Sequence, residues 1–325
     1  MKRIIAIFLL IFTICAFSFV FTGCEGKDDD RLQIVVTIFP EYDWVMNVLG
    51  ENADWAKVDL LLDSGIDLHN YDPSPTDIVT VAEADLFLYI GGESDDWVPG
   101  ALKNARNENM RTMNLLALLG NRVKEEEIVE GMQVEHEEEE DHEHEAEYDE
   151  HVWLSLKNAA YYVGLIRDEL SDLDPAHAEI YAKNAATYIG KLKELDFRYQ
   201  KAVTAAPRDT ILFGDRFPFR YLTDDYDLKY YAAFTGCSAE SKVTPATITT
   251  LAGKVNEYDM KVILKLESSK SDIAESIKNA SAKKDQRILV LDSLQSATKK
   301  EYAKGRTYLS VMESNLGVLT AALAA

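Results

Sequence analysis

Four of the six histidines in this 325-residue chain, His136, His142, His144 and His151, fall in one stretch dominated by glutamate and aspartate. Neutral imidazole and carboxylate are the donors that suit borderline divalent cations, zinc above all. A run of like charge this dense cannot pack into a core, so residues 124–150 are expected as a solvated loop. In it His136, His142 and His144 would act as weak, fast-exchanging collectors that raise local zinc through effective concentration. The competing reading is an acidic linker whose histidines are incidental. His151 differs from the other three, because Val152-Trp153-Leu154-Ser155 follows it and an ordered apolar segment resumes there. His69 sits in a turn-rich segment, 65–77, just past a candidate strand. A lone histidine is more often a packing or surface group, so His69 gains meaning only through a second site.

The rest of the composition bounds the partners. Lys2 and Arg3 precede an almost uncharged apolar stretch, 4–21, that ends in Phe21-Thr22-Gly23-Cys24. This pattern reads as a signal peptide over 1–23 with a bacterial lipobox, so Cys24 would carry the lipid. A plain membrane anchor is the alternative. Residues 24–31 would form a polar tether and leave the chain extracytoplasmic and lipid-anchored to the cell membrane. Cys15 falls in the signal, so Cys24 and Cys237 are the only cysteines left and no intrachain disulfide is available. A formal charge of −22 argues against nucleic acid or an anionic membrane surface as partner and favours a cation. Such a long-range, salt-screened field concentrates cations without defining a site.

Elements that could position these groups alternate between short β-rich runs and helical stretches, the pattern of α/β layers with parallel strands. Strands are predicted at 33–39, 56–62, 85–90, 211–213, 228–232, 262–266 and 288–291. Helices are predicted from 41 to near 50 and at 76–84, 97–107, 157–171, 217–225, 245–258, 271–281 and 305–323. Asp174-Pro175 is a good helix start, and one long periodic helix should run from Ala176 to about Val203. The predicted fold is therefore two α/β lobes, 32–172 and 207–325, joined by one long rigid spine helix over 173–206. In open α/β sheets, ligands sit beyond the carboxyl ends of strands, which puts a site in the cleft between the lobes.

Two segments carry a family resemblance. GIDLHNYDPSPTDI resembles the first metal-ligand motif of the zinc- and manganese-binding lipoproteins of ABC importers, and DEHVWLSLKNA resembles their second. FRYLTDDYDL, TPATITTLAGKV, LESSKSDIAESI, LVLDS and GRTYLSVMESNL resemble further family segments in order, so the likeness covers nearly all of the mature chain. The resemblance implies a solute-binding lipoprotein that delivers Zn2+, or in a related form Mn2+, to a membrane permease and its ATPase, working as a monomer and not as an enzyme. It implies His69 and His151 as ligands, with Asp292 at an acidic ligand position of the second lobe. The family's other second-lobe ligand, a histidine or glutamate, falls on Arg216, and a guanidinium cannot ligate a cation. Asp215 next to it could supply a carboxylate instead, or could cap the following helix or pair with Arg216. Cys237 and Glu240 are further candidates, although a lone thiol is more often a small core residue. Glu267 matches an acidic position near the cleft, where it would orient a ligand.

Two other classes compete. A secreted zinc hydrolase would need a motif such as HExxH, which the sequence lacks. A surface adhesin or metal buffer without a transport role would share the family pattern, and a permease and ATPase encoded alongside would argue against it.

Overall fold

In a computed structural model, described over residues 30–133, 147–238, 242–269 and 272–324, the apolar runs form two sets of parallel strands. The first half gives β1 (Leu32–Val36), β2 (Ala56–Leu60), β3 (Leu86–Tyr89) and β4 (Arg111–Asn114), in the order β2-β1-β3-β4. Leu32 pairs with Ala56, Ile34 with Leu86 and Leu86 with Arg111, all in parallel register. Parallel strands require crossovers. Helices α1 (Phe39–Leu49), α2 (Pro75–Ala82) and α3 (Val98–Leu102) supply them, and α4 (Leu115–Leu119) follows β4. Strands covered on both faces read as continuous apolar runs, which is why LQIVV and LFLY were legible.

The second half pairs β5 (Thr210–Leu212) with β7 (Lys229–Tyr231), the two-residue β6 (Arg216–Phe217) with β8 (Phe234–Thr235), and β9 (Val262–Leu266) with β10 (Arg287–Leu291). A parallel bridge between Phe213 and Leu264 joins the β5 and β9 pairs. Here the helices are α7 (Arg220–Asp225), α8 (Pro245–Glu257), α9 (Ile273–Ala280), α10 (Lys299–Tyr302) and α11 (Tyr308–Leu323). Between the halves run α5 (Leu156–Leu173) and the 28-residue α6 (Ala178–Ala205). At 1.5 Å per residue, α6 is about 42 Å long.

Several predicted elements are shorter or split. The helix expected at 97–107 ends at Leu102, and Asn107 turns back to donate to the carbonyl of Ala84 at 3.0 Å. The helix expected from 217 starts only at Arg220, because Phe217 precedes Pro218 and the residue before proline is driven to extended backbone. Gly305 takes φ +92°, so the last long helix begins later, at Tyr308, with the Thr307 side chain capping its first turn.

Buried aromatic and carboxylate groups bind α6 to both halves. Tyr188 of α6 donates to Asp43 Oδ2 on α1 at 2.5 Å, and the Tyr308 amide donates to Asp43 Oδ1 at 3.1 Å. Trp44 stacks on Tyr162 and meets Tyr308 edge-on, with centroids 5.7 and 5.4 Å away. Further along α6, Tyr199 donates to the Met312 carbonyl at 2.6 Å. Tyr308 also donates to the Trp153 carbonyl at 2.6 Å, while Trp153 Nε1 donates to the Ser293 carbonyl at 2.8 Å. One buried chain of contacts thus fixes two segments that flank the site described below. Tyr308→Phe removes only a hydroxyl but leaves the buried Trp153 carbonyl without that donor. It should cost about 1–3 kcal/mol in chemical unfolding, and an unchanged midpoint would contradict the role given to this bond.

Candidate metal centre

His69 lies in a single 3-10 turn, Leu68–Asn70, beyond the carboxyl end of β2. The turn is held from below by the fully buried Leu68 and from its start by Asp67, whose Oδ1 accepts the His69 amide proton at 3.2 Å. His151 caps a second 3-10 turn, Val152–Leu154, in which all three side chains are fully buried. The two segments lie 82 residues apart, yet the His69 and His151 Nε2 atoms approach to 3.1 Å.

Each ring is oriented through its other nitrogen. His151 Nδ1 sits 3.1 Å from Asp149 Oδ1, and the same oxygen accepts the His151 amide proton at 2.8 Å. His69 Nδ1 lies 2.9 Å from Ser94 Oγ, and that hydroxyl donates in turn to Glu150. A Nδ1–H donated to a carboxylate or hydroxyl fixes the tautomer and leaves the Nε2 lone pair free for a cation. Glu150 also accepts the Ser94 amide proton at 3.0 Å, and Gly92, at φ +79°, leaves the space that its carboxylate fills.

Two lone pairs aimed at one point repel unless something electropositive lies between them. Gln295 meets that need here. Its Nε2 stands 2.8 Å from His151 Nε2 and 3.3 Å from His69 Nε2, so the amide bridges both rings. The Ser293 hydroxyl, 3.2 Å from Gln295 Oε1, shares its one proton between that oxygen and Glu267 Oε1 and so helps to set the amide's orientation. The loop that delivers it places Leu294, fully buried, at φ +64°, a backbone conformation that is costly for a branched residue and is held by its surroundings.

Cys237 completes the cluster. One donor atom from each of His69, His151 and Cys237 lies within 4.8 Å of the others, the one such group among the described residues. Burial opposes charging at both imidazoles, but it prevails only at His69. It holds His69 down to about 3, with His151 adding to the effect, while at His151 the carboxylates of Asp149 and Glu150 outweigh burial and raise its pKa. Burial, reinforced by Asp149 and Glu126, pushes the Cys237 thiol well up. The carboxylates that raise it make the same ground favourable for a cation.

The expected second-half carboxylates are engaged elsewhere. Asp215 accepts the Arg216 amide proton at 3.0 Å and the Leu266 amide proton at 3.4 Å, a backbone-holding role. Arg216 itself pairs with Asp67, so it steadies the His69 turn from across the site. Asp292 accepts from the Leu294 amide at 2.9 Å and pairs with Arg306 at 2.7 Å. Neither aspartate joins the cluster with His69 and His151. Glu267 accepts from the Ser293 amide and hydroxyl, both at 2.8 Å, and so steadies the hydroxyl that orients Gln295. Burial, with Asp292 second, raises the Glu267 carboxyl to about 7. Glu240, His136, His142, His144 and Cys24 lie outside the described residues.

Gln295 was missed because a neutral amide is not an obvious ligand, although it falls in a strand-following loop, where ligands are to be sought. Cys237 carried a faint signal. It is a thiol without a disulfide partner in a chain read as exported, directly after a glycine.

The family described as "Zinc-uptake complex component A periplasmic" matches residues 34–322. "Zinc-binding lipoprotein AdcA" of Streptococcus pneumoniae strain R6 is 33% identical over 316 residues, 96% of this chain, although the chain spans only 60% of that protein. "High-affinity zinc uptake system protein ZnuA" of Bacillus subtilis is 32% identical over 91% of this chain and 89% of its own length. Among solved structures, the Zn(II)-bound ZnuA-like domain of Streptococcus pneumoniae AdcA aligns with a TM-score of 0.70 and 29% identity, over 91% of this chain and all of that one, 100%. The metal-dependent lipoprotein YcdH of Bacillus subtilis aligns at 0.72 and 28%, again over 91% and 100%. With nearly the whole folded chain matched, this protein belongs to the zinc-uptake component A (ZnuA) family.

Proposed function

We propose that this chain is the extracytoplasmic solute-binding component of a zinc importer. It takes up Zn2+ between its two lobes and hands the ion to an ABC-type permease with its ATPase. The observation that carries the reading is the convergence of two buried imidazoles, each anchored through Nδ1, on one point with their Nε2 atoms 3.1 Å apart. For tetrahedral zinc with Zn–N of about 2.0–2.1 Å, two nitrogen ligands stand roughly 3.3 Å apart, so little movement is needed. The names of the relatives, which describe zinc binding and zinc uptake, support the same cargo. Imidazole favours zinc over manganese, whose preferred donors are carboxylate, carbonyl and water. The chain acts as a monomer tethered by lipid at Cys24, and its role is delivery without catalysis. The acidic segment with His136, His142 and His144 gathers zinc weakly and raises its effective concentration.

Transport assays test this. In membranes carrying the permease and ATPase, adding the zinc-loaded chain should drive ATP-dependent zinc accumulation, and His69→Ala should not. Accumulation that ignores the chain would sink the proposal. Replacing His136, His142 and His144 together with alanine should lower the zinc bound at high concentration and leave the tight site intact, as equilibrium dialysis would read.

A further inference from the structure

We propose that Cys237 is the third ligand of this site, bound as a thiolate, and that the cation it selects is therefore a thiophilic one. The inference rests on the zinc-capture reading and goes beyond it, since it assigns the second half's contribution to sulfur and not to the expected carboxylates.

Four observations converge on it. First, the Cys237 sulfur lies within 4.8 Å of a ring nitrogen of both His69 and His151. Zn–S of about 2.3 Å and Zn–N of about 2.0–2.1 Å call for sulfur and nitrogen roughly 3.5 Å apart around a tetrahedral ion. A small shift of one loop closes that gap. Second, the loop is pressed against the imidazole. A Cβ on Gly236 would stand 3.0 Å from His151 Cε1, 3.1 Å from its Nδ1 and 2.9 Å from the Phe217 carbonyl oxygen. Only a residue without a side chain lets the next one come so close. Third, the backbone of Cys237 is pinned, because its amide donates to Glu126 Oε1 at 2.8 Å. Fourth, the rival donors are taken. Asp215 holds backbone amides and Asp292 pairs with Arg306. Among the described residues of the second half, Gln295 alone touches both rings through hydrogen bonds, and it is neutral.

The charges agree with this assignment. Two neutral imidazoles and one thiolate leave a divalent ion with a single net positive charge, and the nearby carboxylates Asp149, Glu150 and Glu126 make a field that favours it. On ligation the S–H bond breaks, the sulfur–metal bond forms and the proton leaves to solvent, with no change of oxidation state. Gln295 can then offer its amide oxygen as a fourth, weaker donor. A set of two nitrogens and one sulfur suits Zn2+, Co2+ and Cd2+ and disfavours Mn2+, Mg2+ and Ca2+.

Cobalt reports on this directly. The full chain in detergent, loaded with Co2+, should show a thiolate-to-cobalt charge-transfer band in the near ultraviolet beside tetrahedral visible bands. Cys237→Ser and Cys237→Ala should lose the charge-transfer band and bind Zn2+ roughly 100-fold more weakly, with a larger loss for Cd2+. The wild-type spectrum needs no variant, so misfolding of either substitution does not blunt the test. A wild-type cobalt complex that lacks the band, while His69→Ala abolishes binding, overturns the sulfur assignment and leaves zinc capture standing. Zinc binding indifferent to both His69→Ala and Cys237→Ser overturns the site as a whole.

Discussion

Replacing His151 with alanine should weaken zinc binding by two to three orders of magnitude. Structural zinc sites contribute roughly 10–16 kcal/mol of binding free energy. Removing one of three or four ligands forfeits about a quarter to a third of that, or roughly 3–4 kcal/mol, and each 1.4 kcal/mol is tenfold. His151 is the more demanding of the two rings to lose because it is fully buried, so water cannot easily stand in for it. His69, at the edge of the site with its side chain 9% exposed, should show a somewhat smaller loss. His177 provides the control. It stacks on Trp55 with centroids 3.9 Å apart and pairs with Asp174, so alanine there should leave zinc affinity unchanged. Competition against a chelator of known affinity measures all three, and a His151→Ala affinity close to wild type would refute the site. Zinc should also raise the unfolding temperature of the wild type in proportion to the logarithm of its excess over Kd, and this shift should vanish in His151→Ala.

The metal-free protein should lose several kcal/mol of stability as pH rises from 5 to 8, and Glu41→Gln should remove roughly 4 kcal/mol of that loss. Glu41 is fully buried in the first turn of α1, where one oxygen accepts from the Thr37 amide and hydroxyl and from the Ile38 amide. Burial, with Asp95 adding to it, lifts its carboxyl from the ordinary 4.5 to about 8 despite those bonds. A folded pKa above the unfolded one means the folded state binds the extra proton. Its stability is therefore greatest below about pH 4.5 and declines through the window up to about 8. At 1.36 kcal/mol per pH unit, a gap of this size amounts to roughly 4–5 kcal/mol. Asp43, lifted to about 6, and Asp95, lifted to about 7, chiefly by burial, act in the same direction. His69, held low, acts in the opposite sense below about pH 6.5, so the difference between wild type and Glu41→Gln isolates the glutamate. Guanidinium unfolding in excess chelator across this pH range gives the comparison. Parallel curves for the two proteins would show that Glu41 is ionised in the fold.

The strands of this fold were readable because buried parallel strands are continuous apolar runs, as in VILKL of β9. Where an apolar run holds two elements, the sequence does not separate them. Residues 110–119 contain both β4 and α4, with Asn114 ending one and capping the other. Helix starts were harder to read than their existence, since Phe217 and Gly305 are excluded by local backbone constraints and not by polarity. In the site, His69 and His151 were legible because each stands in a distinctive segment at the end of an ordered element. Gln295 was not, and Cys237 stood only as one candidate among several, because their surroundings depend on which neighbours occupy Asp215 and Asp292. Only the folded geometry shows that one aspartate is committed to amides and the other to Arg306. Arg216 was rightly barred as a ligand by its chemistry, yet its use as a brace for Asp67 is a pairing across 149 positions that spacing alone does not reveal.

Because α6 is fastened by Tyr188 to α1 and by Tyr199 to α11, a swing of the two halves like jaws would have to break buried hydrogen bonds at both ends of the helix. On the zinc-delivery reading proposed above, the ion would then enter and leave by the turning of a few side chains, Gln295 foremost, and a permease would tell a loaded carrier from an empty one by the set of its surface loops.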